Sequence, residues 1–588
     1  MPHLLPKKHI HTQNITHYII LLLLIITIVT SSTPEDPIKC SSKNSNCTIK
    51  NSYGEFPDRS ICHAMEVSYP KSEEELIAVV ADATKMRRKM KVATRFSHSM
   101  PKLACPQDNG LLISTNYLNR TLIVDESSMT ITVESGVTLR QLINDAAKVG
   151  LALPYAPYWW GLTIGGLMST GAHGSSLWGL GSSVHDHVIQ LRIVTPGDAK
   201  EGFAKVRTLG NGNPELEAAK VSLGVLGVIS QVTFKLQPMF KRSITFLEKS
   251  DSDLGREAPK FGLEHEFGDI TWYPGQQKAL YRIDDRVPVS TPGNGLNDFS
   301  GFRSRPSLIL ALIRNTEEDQ ESRNDADGKC IDGKLTTSLL KSASYGYTNN
   351  GIVFINYPII GYQNRLQASG SCLDSTKDGT CPWDYRVKGQ FFHQTTVSIG
   401  LSKVMNFIED VQKLVAIEPK ALCVLDLYNG VLMRYVKASS AYLGNQEDAI
   451  DFDITYFRNK DPLVPRLYED ILEEIEQIGV FKYGGLPHWG KNRNVAFEGV
   501  IKKYKNASNF LRVKDAYDPM GLFSSEWTDQ ILGLRGGITI DKEGCALEGL
   551  CICSKDIHCA PIKGYFCREG KVYKDARVCT RIVKGEFA

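Results

Sequence analysis

Apolar residues recur at three- and four-residue spacing between positions 72 and 84, behind Ser72 and three glutamates, which predicts a capped helix with one buried face. The stretches 91–94, 110–114, 121–125 and 130–134 are short apolar or β-branched runs between turn residues and predict strands. Gly136 opens a turn into a second amphipathic run ending near Ala147, with Thr138 as its cap. From 188 to 238 strands recur around a polar turn at 211–214, and Pro238 is the expected end of this α+β unit. Helical spacing returns at 401–412 and 464–476, which predicts a second α+β domain. The charged run 314–327 is expected to be a solvated loop or mobile insert without chemistry.

The two ends differ in character. Lys7 and Lys8 precede an uncharged apolar run at 18–29 and a small polar stretch, so 1–33 reads as a signal peptide. The run is shorter than the ~20 residues of a membrane span, with an uncleaved anchor as the alternative. Fourteen cysteines suit an oxidising compartment and allow full pairing. Asn46, Asn119 and Asn506 head glycosylation sequons. Cys40 to Cys62 spans a polar stretch, so residues 34–55 read as a disulfide-tied lead-in. Six cysteines after position 536 predict a disulfide knot at 536–588; the alternative, zinc, would have to use a Cys551-Ile552-Cys553 spacing tighter than usual.

A chain of 588 residues holds more than one core, and a net charge of +3 over that length gives no footprint for nucleic acid. A small-molecule site is therefore expected. Gly165, Gly166, Gly171 and Gly174 share a segment with Ser169, Thr170 and Ser175, where backbone N–H groups can surround a phosphate. The competing reading is a tight packed turn. No Gly-x-Gly-x-x-Gly follows a strand in the context of a Rossmann site.

Four segments taken in order resemble the FAD-contacting segments of the vanillyl-alcohol oxidase family. They are Arg95-Phe96-Ser97-His98-Ser99, the turn from Glu134 to Leu139, the glycine segment from Gly165 to Gly174, and Gly224-Val225-Leu226-Gly227-Val228-Ile229. Downstream, Pro487-His488-Trp489-Gly490-Lys491-Asn492 and Asp518-Pro519-Met520-Gly521-Leu522-Phe523 are similar to signatures of its sugar-lactone oxidase branch, the plant L-gulonolactone oxidases in particular.

The resemblance implies an α+β protein: a two-subdomain FAD-binding domain over 56–238, an α+β substrate or cap domain over 239–535, and the cysteine-rich tail. FAD contacts are expected from Arg95, Ser97, His98 and Ser99, from Gly165, Gly166, Ser169, Thr170, Gly171, His173 and Gly174, and from Gly227, Val228 and Ile229. Some members bond the first-loop histidine to the flavin 8α-methyl carbon, and His98 occupies that place. Its loop departs from the common Gly-Ser-Gly-His-Ser form. His173 is expected to shape its loop.

The same resemblance makes Lys491 the cation beside the flavin pyrimidine, His488 a wall of the substrate pocket, and Arg434 the arginine of a Glu-x-Arg pair. Leu432 stands at the acidic position of that pair, with Asp426 or Asp453 as possible substitutes. The implied reaction is oxidation of an aldono-1,4-lactone at C2 to give ascorbate, with oxygen or another acceptor taking the electrons. No metal, nucleic acid or membrane span in the mature chain is expected. The rivals are a cytokinin dehydrogenase, a berberine-bridge-type carbohydrate oxidase, and a catalytically weak flavin- or sugar-binding protein. A bicovalent berberine-type site needs a cysteine after Gly165, yet none lies between Cys105 and Cys330.

Overall fold

The computed structural model describes residues 38–49, 62–93, 101–107, 109–351, 357–374, 379–381, 392–425, 430–459 and 461–582. The expectations for 1–33, for Arg95, Ser97, His98 and Ser99, and for Asp426 lie outside the described residues.

Two five-stranded sheets make up the first part of the chain. In space, the first runs Ile38–Ser42, Ser45–Ile49, Cys62–Ser68, Leu111–Ser114 and Met90–Ala93. The described part of the lead-in is therefore no separate appendage. Its hairpin, closed by Cys40–Cys47, extends this sheet, and Cys62–Cys105 ties the sheet to the segment beyond it. The second sheet runs Ala204–Gly210, Val188–Pro196, Val228–Lys235, Thr130–Glu134 and Thr121–Asp125.

Both predicted helices form where their caps say they should. Glu75 N–H donates to Ser72 Oγ at 3.3 Å at the start of Glu73–Lys85, and Gln141 N–H donates to Thr138 Oγ1 at 3.2 Å at the start of Leu139–Lys148. Leu142, Ile143, Ile193 and Phe234 then share one core.

An eight-stranded antiparallel sheet follows, in the order Ile359–Tyr362, Lys241–Ser250, Lys278–Val287, Asp269–Tyr273, Val431–Val436, Ala449–Phe457, Phe392–Gly400 and Leu486–Pro487. Side chains alternate across a pleated sheet, so directly paired residues share a face. The cross-strand row Tyr281, Ile270, Met433, Phe452 and Val397 is apolar. It packs on the helices Leu254–Glu264, Val404–Ile417 and Glu469–Gln477 through residues such as Phe261, Phe407 and Ile471. The neighbouring rows face the other way and are mostly polar, with Leu280 and Leu432 among them.

Two expectations are corrected. The run 314–327 is no solvated loop: helices Ser307–Ser322 and Ala326–Ser342 cover it, and Arg314 and Glu317 are buried. Glu317 pairs with Arg466 and Lys329 from other segments, and Arg314 with Glu318 one turn on in its own helix, so the buried charges are neutralised. The helix expected over 464–476 begins only at Glu469, because Tyr468 before it is left-handed at φ 56°.

All fourteen cysteines are paired. The tail holds Cys545–Cys551, Cys553–Cys567 and Cys559–Cys579, which engages the thiols that a metal would need. No helix among the described residues is long and apolar enough to cross a membrane.

Candidate functional site

The glycine segment is a short helix, Ile164–Thr170, and not the open loop read from sequence. Ser169 Oγ donates to Gly165 O at 2.8 Å and Thr170 Oγ1 to Gly166 O at 3.0 Å, so both hydroxyl hydrogens are engaged within the helix. Gly171 ends it at φ 66°, a left-handed position suited to glycine. Beyond it the chain crosses to the large sheet: Ser176 N–H and Ser182 Oγ both donate to Tyr435 O. Gly174 has no room for a side chain, since a Cβ there would sit 2.7 Å from Ala156 O.

The polar face of the large sheet meets this crossing. One cross-strand row is Arg282, Asp269, Arg434, Asp451 and Ser398; the next holds Thr271, Leu432, Asp453 and Thr396. Asp453 thus lies directly opposite Leu432 on the same face. Its carboxylate accepts from Lys491 Nζ at 2.8 Å, from Arg434 Nη2 at 2.5 Å and from Thr396 Oγ1. Arg434 Nη1 donates to His173 O at 3.0 Å, linking the sheet to the glycine segment. His173 is pinned through both ring nitrogens, Nδ1 to Gly174 O at 2.9 Å and Nε2 to Asp451 at 2.7 Å.

His488 and Lys491 enter from the edge strand Leu486–Pro487. The His173 and His488 rings are 5.6 Å apart. Gly490 lies against the short helix, where a Cβ would meet Thr170 Cβ at 3.3 Å. Trp489 turns away into the core, its indole N–H donating to Leu443 O and its ring stacked on Tyr504. Asn492 fixes the turn: its amide donates to Thr396 O and accepts from Thr396 N–H, each at 2.7 Å.

Family models match three parts of the chain: an FAD binding domain over residues 66–200, D-arabinono-1,4-lactone oxidase over 374–531, and the C-terminal domain of L-gulonolactone oxidase 2-like proteins over 542–581. "Probable L-gulonolactone oxidase 6" of Arabidopsis thaliana is 64% identical over 573 residues, covering 96% of this chain and 95% of that protein. The chain belongs to the L-gulonolactone oxidase family. "L-gulonolactone oxidase 2" of the same plant is 62% identical over 572 residues, covering 96% of each. A solved cholesterol oxidase from Brevibacterium sterolicum superposes with a TM-score of 0.64 at 14% identity, over 85% of this chain and 100% of its own, a likeness of fold alone. The fold is of the vanillyl-alcohol oxidase type and FAD is the cofactor of its binding domain.

The oxidase has groups that fit such a cofactor. Ser135 Oγ and Thr163 Oγ1 are buried without a partner inside the protein. They flank Gly165, where a Cβ would come within 3.2 Å of the Ser135 side chain. A flavin nucleotide, rich in phosphate and hydroxyl oxygens, suits unpaired hydroxyls beside bare backbone. Gly227 lets its strand approach Val194 O, which a Cβ would meet at 2.4 Å, and Val228 and Ile229 have core side chains. Only the backbone of these three is available to a ligand.

Burial alone would raise Asp453, yet Lys491 and Arg434 hold its carboxyl well below the usual range. Asp451 is likewise lowered against burial by His173. Burial pushes the Lys491 ammonium down, with Asp453 opposing. Burial, then Lys491 and His173, push His488 far below an ordinary histidine, so its ring is neutral. Since Gly490 N–H donates to His488 Nδ1 at 3.0 Å, the ring proton sits on Nε2.

Sequence reading missed Asp451, Thr396 and Ser398, and with them a second cluster. Tyr158 Oη donates to Asp269 at 2.5 Å and accepts from Arg282 Nη2 at 2.8 Å, while its ring lies 5.9 Å from the Arg434 guanidinium. One signal was available: Asp451-Phe452-Asp453 alternates polar and apolar, the mark of a strand with one polar face that sets both aspartates on the same side.

Proposed function

We propose that the oxidase acts on L-gulono-1,4-lactone or a closely related aldonolactone at C2, giving the 2-keto lactone that enolises to L-ascorbate, with oxygen reduced to hydrogen peroxide. The observation that carries this reading is the Lys491–Asp453–Arg434 cluster, its Asp453 and Arg434 buried and its Lys491 largely so, set against the flavin-domain segment that holds Thr170 and His173. A polyhydroxylated lactone needs paired donors and acceptors at fixed positions, and this face supplies both.

Bound FAD would supply the two-electron acceptor for the hydride leaving C2, while the C2 hydroxyl proton passes to solvent and is regained when oxygen becomes hydrogen peroxide. Lys491 and Arg434 place positive charge where negative charge develops, in a dry site where such charge acts strongly. Asp453 holds both cations in place and fills the role of the carboxylate missing at Leu432, which removes the main motive for a merely binding protein. His488 presents its Nε2 hydrogen to a lactone oxygen and, being neutral, adds no charge. His173 holds the crossing between the two domains.

In this reading residues 56–238 hold the flavin, 239–535 the lactone and 536–588 form the tail. His98 is the candidate for a covalent bond to the flavin. Residues 1–33 act as a signal peptide and are removed; the seven disulfides and the exposed Asn46 sequon are the features that support export.

The deciding experiment mixes purified oxidase anaerobically with L-gulono-1,4-lactone and L-galactono-1,4-lactone and follows the flavin absorbance. Bleaching with a lactone is expected, followed by peroxide on admitting oxygen; persistent yellow with every lactone would overturn the reading. Acid denaturation should leave colour on the wild-type polypeptide and release it from His98→Ala.

A further inference from the structure

The cysteine-rich tail grips the Lys491 segment from both sides. Upstream, the helix Glu469–Gln477 leads towards His488. There the buried Glu474 carboxylate accepts the consecutive backbone N–H groups of Lys571, Val572 and Tyr573, each at 2.7 Å. Glu473 accepts from Cys579 N–H at 2.8 Å. Gln477 and the Arg577 backbone bond in both directions.

Downstream, the residues just past Lys491 meet the other end of the tail. Val495 N–H donates to Gly549 O at 3.0 Å and Asn494 Nδ2 to Ile538 O at 3.2 Å. Arg493 joins the two flanks: its guanidinium pairs with Glu476, both side chains 2% exposed, while the tail presses on its stem. Gly549, at φ 63°, is the point of pressure, because a Cβ there would fall 2.4 Å from Arg493 Cδ and 2.5 Å from its Cβ and Nε. The Cys545–Cys551 disulfide closes the small loop that carries Gly549. Between Arg493 and Lys491 stands only Asn492, left-handed at φ 75° and locked to Thr396. Arg493 and Asn492 are thus the two adjoining anchors of the turn that carries Lys491, one held by the tail and the other by Thr396.

We propose that the tail is a brace for the active site, and that Arg493, held between Glu476 and Gly549, is the positioning residue that keeps the Lys491 ammonium on Asp453. The proposal rests on the reading of Lys491 as a group that acts on the lactone and flavin. Fixed charge is effective only when aligned, and displacement by about 1 Å can cost on the order of a hundredfold in rate.

The test uses full-length, flavin-loaded enzyme and compares Gly549→Ala with Gly564→Ala. Both glycines have positive φ and both lie in the tail, but the nearest atom to a Cβ at Gly564 is Ile582 O at 3.5 Å, away from Arg493. Gly549→Ala should slow anaerobic flavin reduction by lactone roughly tenfold or more, leave KM within about twofold, and move the alkaline limb of the pH profile. Gly564→Ala should strain the backbone similarly and leave rate and profile unchanged.

Should Gly549→Ala fail to fold, the double variant Cys545→Ser/Cys551→Ser frees the same loop without a clash, and the same kinetic change is expected. Wild-type rate and profile in the folded Gly549 variant, or equal losses in both glycine variants, would overturn the brace. Lys491→Met separates the two readings. Full activity in that variant would sink the role of Lys491 itself, whereas an inactive Lys491→Met beside a normal Gly549→Ala would sink the brace alone.

Discussion

Replacing Asp453 with asparagine keeps the volume and removes the anion that, among the described residues, both Lys491 and Arg434 touch. At 2.8 Å and an effective dielectric near 20, Coulomb attraction to Lys491 alone is about 6 kcal/mol. Much of that offsets the cost of burying the charges, so the net loss expected from stranding two buried cations is about 3–5 kcal/mol of folding stability. The loss of aligned charge should also slow lactone-driven flavin reduction by ~100- to 1,000-fold. Thermal unfolding of the holoenzyme and anaerobic stopped-flow reduction read the two effects. Because Leu432 faces the same side directly opposite, Leu432→Glu in the Asp453→Asn background should recover part of both. An Asp453→Asn enzyme with wild-type unfolding temperature and a rate within about threefold would refute the cluster as the working centre.

Lys491 has its ammonium lowered by burial, so activity that depends on the charged form should fall as pH rises, beginning below the ordinary lysine range. Weakening its partner with Asp453→Glu should move that limb, and an immobile limb would argue against Lys491 as the titrating group. Glu317 is held at about 2 by Arg466 and Lys329 despite burial, so its ionised form stabilises the fold above its unfolded value and the contribution vanishes as pH falls towards 2. Glu317→Gln should consequently cost up to about 3 kcal/mol near pH 7 and progressively less in acid, as read by denaturant unfolding along a pH series. A pH-independent difference would contradict the ion-pair account.

Local signals made the first part of the fold legible. Ser72 and Thr138 announced their helices because a cap acts within three residues, and the strands between them alternate within a few positions. The charged helix around Arg314 was illegible for the opposite reason: Arg466, the partner of Glu317, lies far along the chain, so the sequence shows charge without its full neutralisation. The site divides in the same manner. Lys491 and Arg434 were readable through a resemblance along single contiguous segments, whereas Asp451, Thr396 and Ser398 join only when three strands are set side by side. The Glu-x-Arg expectation looked two residues upstream of Arg434 and met Leu432; Asp453, one of the two possible substitutes, stands directly across the ladder from it.

That cross-ladder placement means a pocket on a pleated surface has two addresses for each point, one along the strand and one across it. A carboxylate at 432 or at 453 projects into the same space and can serve the same guanidinium, provided the pairing holds. The pairing thus decides which side chains share that space. A slip of the Ala449–Phe457 strand by one residue would keep every amino acid yet turn Phe452 towards the polar face and Asp453 into the helix layer. Chemistry here is written in the register of the sheet, and searches for lactone-handling sites in other sequences should compare opposed positions on adjoining strands as well as motifs along one.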